Sequence, residues 1–435
     1  MKDSTMLNET HNPQLRSWVA SAQQPGTDFP LQNLPHCVFR RRGSTEPWRG
    51  GVAIGDAILD MAAAHAQGVF GAAADTAAQA ASAGTLNGLM ALGPQAWSAL
   101  RLALSRLLRD SAPETARLQP CLVAQADAEY AVPAQIGDYT DFLTSQYHAL
   151  NAGRIFQPQA ALPPNFKWLP IGYHGRASSV AISGTGVLRP QGQNRAPDAA
   201  MPVFGPTAKL DYELELGIFV GPGNPRGTAI ALDAAEDHVF GICLLNDWSA
   251  RDVQAWESVP LGPFMAKNFL TSVSPWIVTL EALAPYRTAL PRAVDDPAPL
   301  GYLQSASVQG IDIQLEAWLT PAGSRQGTRL SRTSYRHAYW SVAHMLAHHS
   351  SNGCNLQTGD LLGTGTQSGP EPGEEGCLLE LTRGGQVPLR LPDGTERGYL
   401  QDGDSLLLRG WCEREGQARI GFGECRGTVL PAREI

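Results

Sequence analysis

Hydrophobic and polar positions alternate most regularly over residues 209–216, where Leu210, Tyr212, Leu214 and Leu216 are interleaved with Asp211, Glu213 and Glu215. A period of two predicts a strand with an apolar face and a face of carboxylates. Same-face neighbours on a strand stand roughly 7 Å apart, so three like charges in a row repel. Two readings remain open. A solvated face carries little cost, whereas in a cleft one carboxylate is protonated or a cation sits among them.

Elsewhere the pattern divides the chain. Pro30 and Pro35 forbid a helix over 28–35. Residues 51–60 read as two short strands joined at Gly55-Asp56, and the Ala- and Leu-rich stretch from Met61 to Arg109 reads as packed helices. A boundary near 120–135 separates an N-terminal unit, 1–130, from a larger one, 131–435. Short β-rich runs punctuated by Gly and Pro follow, with helices predicted near 138–152, 247–257 and 336–349. The expected fold class is α+β, mainly β.

Several residues in these elements carry candidate chemistry. With Asp138 as N-cap, Asp141 and His148 are seven apart and share a helical face, pairing a carboxylate with a base or falling there incidentally. Asp247, Arg251 and Gln254 form one polar stripe on the next helix, where an Asp247–Arg251 salt bridge is the competing reading. The chain's only lysines are Lys2, Lys167, Lys209 and Lys267. Lys267 lies in an apolar run, which suits a compact ammonium with a task or a lysine snorkelling from a strand edge. Glu380, inside Leu378-Leu379-Glu380-Leu381, reads as a lone acid in an apolar strand and needs a partner if buried. The Gly- and Thr-rich turn over 359–370 suits an anion or an ordinary surface loop. His344, His348 and His349 have helix-compatible spacing, but no acid accompanies them.

Composition narrows the classes. The chain has 435 residues, 43% hydrophobic and 17% charged, and a net charge of −8. That is a globular balance without the clustered basic residues of nucleic-acid or anionic-membrane binding, and no apolar run reaches the roughly 18 residues of a membrane helix. The seven cysteines form no C-x-x-C pair and are read as reduced. The polar N-terminus lacks an apolar h-region, so a cytoplasmic location is expected. No P-loop, G-x-G-x-x-G, H-E-x-x-H or G-x-S-x-G motif is present.

Five longer words run in order along the chain: residues 28–35; Gly172-Tyr173-His174-Gly175-Arg176-Ala177-Ser178-Ser179; Asn246-Asp247-Trp248-Ser249-Ala250-Arg251-Asp252; residues 348–356; and Ile420-Gly421-Phe422-Gly423. Together they resemble the fumarylacetoacetase family over nearly the whole sequence. The resemblance implies a small N-terminal β-barrel-like domain, a β-roll catalytic domain and a homodimer. It also implies hydrolysis of a carbon–carbon bond in fumarylacetoacetate, a β-diketo acid of tyrosine and phenylalanine breakdown, to fumarate and acetoacetate. Carried over by position, Asp141, Glu213, Glu215 and Asp247 are ligands of Mg²⁺ or Ca²⁺, and Lys267 and Thr271 belong to a second magnesium-related position. On the same resemblance His148 is expected to be the general base, oriented by Glu380. Arg251, Gln254 and Lys267 are expected to stabilise the oxyanion, and Tyr173, Gln254 and Thr366 to contact substrate.

Three positions of the substrate shell depart from the family pattern. Leu143 stands where a tyrosine is usual, Gln157 where an arginine is, and Ser258 where a second tyrosine is. A related β-diketo-acid or acylpyruvate hydrolase is therefore the alternative.

Overall fold

A computed structural model of the chain describes residues 7–156, 159, 161–196 and 198–434. Its N-terminal part is built from local signals. Strands Arg49–Ile54 and Ala57–Asp60 form the expected hairpin. Gly55, at the turn, has φ of 57°, a left-handed conformation that glycine adopts without steric cost. Strands His36–Arg41, Leu122–Ala124 and Ala128–Ala131 complete a five-stranded sheet. The Ala- and Leu-rich stretch forms helices, as expected, broken near Gly68, Gly84 and Gly93. Two of them, Ala72–Ala81 and Pro94–Leu107, pack on each other.

The remainder is mainly β and organised by an eight-stranded sheet. Its order is Ile171–His174, Tyr139–Leu143, Leu361–Gly363, Leu214–Val220, Val239–Asp247, Thr271–Val273 and Val180–Ile182, with Val278–Thr279 pairing beside Val239–Asp247. Leu214, Leu216, Ile218 and Val220 point into a core shared with a second sheet, which includes Gln314–Thr320, Ser405–Cys412 and Ile420–Leu430. The opposite face, through Phe219, Tyr139, Leu245, Val273 and Leu361, packs on N-terminal residues such as Met90, Leu100 and Leu104. The sheet is thus a middle layer, and burial on both sides decides between the two readings of the acidic face of 209–216: it is enclosed, not solvated. Its pairing also breaks at 212–213, between Leu210–Asp211 and Leu214–Val220.

Three expected helices or strands change for long-range reasons. Residues 139–143 are a strand, paired with Ile171–His174 on one side and Leu361–Gly363 on the other. Those ladders outweigh Asp138 as a cap, and the helix runs from Gln146 to Phe156, so Asp141 and His148 share no helical face. The strand Val239–Asp247 carries Asp247 before Ser249–Ala250 pairs with Leu210–Asp211, which delays the next helix to Arg251–Glu257. Glu380 lies on a one-turn helix, Leu378–Leu381, not a strand. The Asp211 carboxylate accepts from the backbone N–H groups of Leu378 and Leu379 at 2.8 and 2.9 Å, anchoring that turn at its N-terminus. The third expected helix forms over Val342–Ser350, capped by Ser341. Among the described residues, no helix is long and apolar enough to cross a membrane.

Candidate active site

Sheet register gathers the acids. Asp141 pairs with Gly363, Gly363 with Gly217, Glu215 with Leu245, and Asp247 with Thr271. Because side chains alternate along a strand, Asp141, Glu215 and Asp247 emerge on the same face of the sheet. Glu213, in the interruption, joins them. All four are buried, and each places an oxygen within 4.8 Å of the others.

Two cations neutralise part of this charge. Lys267 Nζ lies 2.6 Å from Asp247 Oδ2 and 2.8 Å from Glu213 Oε1. Arg251 Nη1 donates to Glu213 Oε1 at 2.6 Å, and Arg251 Nε donates to Asp211 at 2.9 Å. Asp247 is therefore bridged by Lys267, not Arg251. The charges remain unbalanced, since Arg251 also serves Asp211. Burial, then the neighbouring Asp247, pushes the Asp141 carboxyl up to about 7. Burial and the charges of Asp141, Glu213 and Asp247 drive Glu215 well above the ordinary range. Glu213 goes the other way: burial opposes its ionisation, but Lys267 and Arg251 hold it well below that range.

Asp141 Oδ1 and Glu215 Oε1 are buried without a hydrogen-bond partner among the described residues. At such separations carboxylates repel by several kcal/mol at an effective dielectric constant of about 20. Unpartnered oxygens from several carboxylates fit a hard divalent cation, which displaces the protons those groups otherwise hold. The residues present therefore fit a metal.

Beside the acids stands a histidine–carboxylate pair. His148 Nδ1 is 2.6 Å from Glu380 Oε1. Glu380 also accepts from Asn151 at 2.9 Å, Ser368 at 2.8 Å and the Cys377 thiol at 3.3 Å. Burial alone would raise the Glu380 carboxyl, yet the facing His148 and these donors leave it below its ordinary value. It therefore stays ionised and fixes the ring.

Both groups open on one cavity of about 580 Å³. Asp141, His148, Glu213, Arg251 and Lys267 form its polar wall, and Leu143, Ile171, Ala255, Val259 and Pro263 its apolar one. Tyr173 also lines it, with its hydroxyl 3.0 Å from Asp141 Oδ2. So do Gln254, which accepts from Arg251 at 3.1 Å, and Thr366, whose buried hydroxyl has no partner among the described residues.

Residues 139–430 match the family described as Fumarylacetoacetate (FAA) hydrolase C-terminal, and residues 32–133 match Fumarylacetoacetase N-terminal. The chain belongs to the fumarylacetoacetase family. It is 47% identical to the fumarylacetoacetase of Oryza sativa subsp. japonica, covering 96% of this chain and 98% of that one. With the fumarylacetoacetase of Caenorhabditis elegans the identity is 48%, over 96% and 100%. The human fumarylacetoacetase is 46% identical over 93% and 97%. Among solved structures, a fumarylacetoacetate hydrolase from the psychrophile Exiguobacterium antarcticum shares the fold at a TM-score of 0.50, with 17% identity over 92% of this chain and 100% of that one.

Within this fumarylacetoacetase framework, most residues singled out from sequence converge. Thr271 lies behind the cavity wall, with its hydroxyl 3.4 Å from Asp247 Oδ1. Leu143 and Ser258 line the cavity, but Ser258 Oγ donates to its own helix at Gln254 O, 2.6 Å away. Gln157 lies outside the described residues. The histidines of Val342–Ser350 disperse: His344 caps its own helix, His348 meets Tyr302 and His349 meets Thr140. Sequence reasoning missed Asn151, Ser368 and Cys377. Only Asn151 had a local signal, three residues after His148 on one helix.

Proposed function

We propose that this chain hydrolyses the carbon–carbon bond of fumarylacetoacetate, giving fumarate and acetoacetate in tyrosine and phenylalanine breakdown. The observation that carries this reading is that His148, backed by Glu380, and two members of the four-carboxylate cluster, Asp141 and Glu213, line one cavity. Because Nδ1 is committed to Glu380, the proton on that nitrogen leaves Nε2 as the basic one. It takes a proton from water, which attacks the carbonyl beside the bond to be cut. Arg251 and Lys267 place positive charge along the wall where the oxyanion develops, and Gln254 adds an amide. As the bond breaks, its electrons pass into the second carbonyl as an enolate, and the imidazolium returns its proton to carbon. Asp141, Glu213, Glu215 and Asp247 would hold a divalent cation, which would supply Lewis-acid polarisation of the diketone when bound.

The all-oxygen donor set supports Mg²⁺ or Ca²⁺, and the contacts of Lys267 and Thr271 with Asp247 support their part in a second magnesium-related position. Tyr173, Gln254 and Thr366 are read as substrate contacts because they line the cavity. A division into a β-barrel-like unit and a β-roll is supported by the separate N-terminal sheet, although its last strand, Ala128–Ala131, runs one residue past the expected 130/131 boundary. A homodimer is supported by exposed apolar side chains near the cavity, including Val259, Leu261 and Phe264, and unpaired cysteines fit the reducing cytoplasm.

A second reading, hydrolysis of a related β-diketo acid or acylpyruvate, is favoured by Leu143 on the wall and by Ser258 turned into its helix. Loss of the diketone absorbance on mixing with fumarylacetoacetate decides between them. Turnover of an acylpyruvate with none of fumarylacetoacetate would overturn the first reading.

A further inference from the structure

Tyr139 and Gly363 adjoin the carboxylates without an assigned part. Tyr139 lies on the same strand as Asp141, two residues before it, and therefore on the same face. The residue is 4% exposed, and its hydroxyl is buried without a hydrogen-bond partner among the described residues. A phenol can donate one hydrogen bond, and buried hydroxyls rarely forgo a partner.

Gly363 explains the space around that hydroxyl. Its strand runs between those of Asp141 and Glu215, so these acids must reach across it. A Cβ at 363 would stand 2.5 Å from Asp141 Oδ1, 3.0 Å from the Tyr139 oxygen and 3.2 Å from Glu215 Oε2. The missing side chain thus leaves a small chamber bounded by three oxygens. Two of them, Asp141 Oδ1 and the Tyr139 hydroxyl, have no partner among the described residues.

We propose that Tyr139 is a positioning residue of the cation site: beside the chamber left by Gly363, its hydroxyl donates a hydrogen bond to an oxygen in the cation's coordination shell. The proposal rests on the reading that the four carboxylates hold a divalent cation. The phenol supplies a donor where the surrounding groups are acceptors. By fixing one coordinating oxygen, it lowers the cost of ordering the rest.

The test is calorimetric titration of metal-stripped wild type, Tyr139→Phe and Gly363→Ala with Mg²⁺ and, separately, Ca²⁺, with melting curves before and after. Tyr139→Phe keeps the ring in its core and is expected to weaken binding by about 10–100-fold, the usual cost of losing a group that supports a metal ligand. Its metal-free melting temperature is expected to match wild type, and its cation-induced rise to shrink. In Gly363→Ala the methyl intrudes on the chamber, so binding is expected to fall further. A wild-type Kd in Tyr139→Phe would overturn the proposal, whether or not the variant melts earlier. If wild type itself takes up neither cation, the reading of the carboxylate cluster fails first, which is a different result from a wild type that binds and a Tyr139→Phe that binds equally well.

Discussion

Two of the places where this molecule buries charge treat it in opposite ways. In the N-terminal unit Arg101 is 4% exposed, yet its guanidinium donates to Gln32 O at 2.6 Å, Asn33 O at 2.7 Å and Thr10 Oγ1 at 3.0 Å. In the carboxylate cluster, acids outnumber their cations and two buried oxygens have no donor among the described residues. Burying an ion is costly in both cases. Arg101 recovers the cost through the chain's own carbonyls and thereby clamps the 28–35 turn to a helix. The cluster recovers it only when something arrives from solution. A satisfied buried charge is structural, and an unsatisfied one marks where the protein expects a ligand.

The sharpest way to break this contrast is to neutralise one acid. Asp141→Asn or Glu215→Gln is expected to abolish cation uptake and to lower turnover on the order of 10³-fold, equivalent to losing several kcal/mol of charge stabilisation. Metal-free stability should hold or rise, because repulsion is relieved. A metal-free variant that unfolds at much lower urea would make the cluster structural and end the distinction. His148→Ala is expected to cost about 10²–10⁴ in kcat with cation binding intact, which calorimetry and steady-state kinetics separate.

Arg101→Met should act in the reverse sense. Its loss strands buried carbonyls, and the expected price is about 3 kcal/mol of stability in urea denaturation, with the wild-type Kd for the cation retained. An unchanged urea midpoint would show that the clamp does little.

The pH dependence should also divide. The Asp141 carboxyl sits at about 7 in the folded chain, above its ordinary 3.8, so the fold binds a proton that the unfolded chain releases. Its contribution to metal-free stability is full below about 3.8 and lost as pH rises through 7. Cation affinity should climb over the same upper interval, as metal replaces proton. Calorimetry at pH 6 and pH 8 checks this, and equal affinities would contradict it. In the N-terminal unit, burial, then Arg101, holds His36 at about 4, below its ordinary 6.5. There the unfolded chain binds the proton more readily, and stability falls as pH drops from 6.5 toward 4. The loss is roughly 1.4 kcal/mol at pH 5.5, read as a smaller urea midpoint shift in His36→Gln than in wild type.

Legibility in the sequence followed the range of the forces. The hairpin at Gly55 and the helices after Met61 were readable because turn residues and helix formers act within a few positions. Family resemblance then supplied the site residues that local patterns only nominated. Asp141 was misplaced on a helix because both strands that pair with it lie outside its local window: Ile171–His174 beyond the following helix, and Leu361–Gly363 more than two hundred residues downstream. Glu380 was misplaced on a strand because the cap of its helix is Asp211, contributed by a distant part of the chain. Alternation over 209–216 was read correctly as a strand signal, but the choice between a solvated and an enclosed acidic face stayed open, since no local pattern announces the N-terminal unit that covers the sheet.

Asp211 holds the Arg251 guanidinium with one oxygen, and its two oxygens anchor the turn that carries Glu380. One carboxylate therefore ties the Arg251 side of the cavity to the Glu380 side, alongside the contacts each keeps of its own. A disturbance of either wall is felt at the other through Asp211.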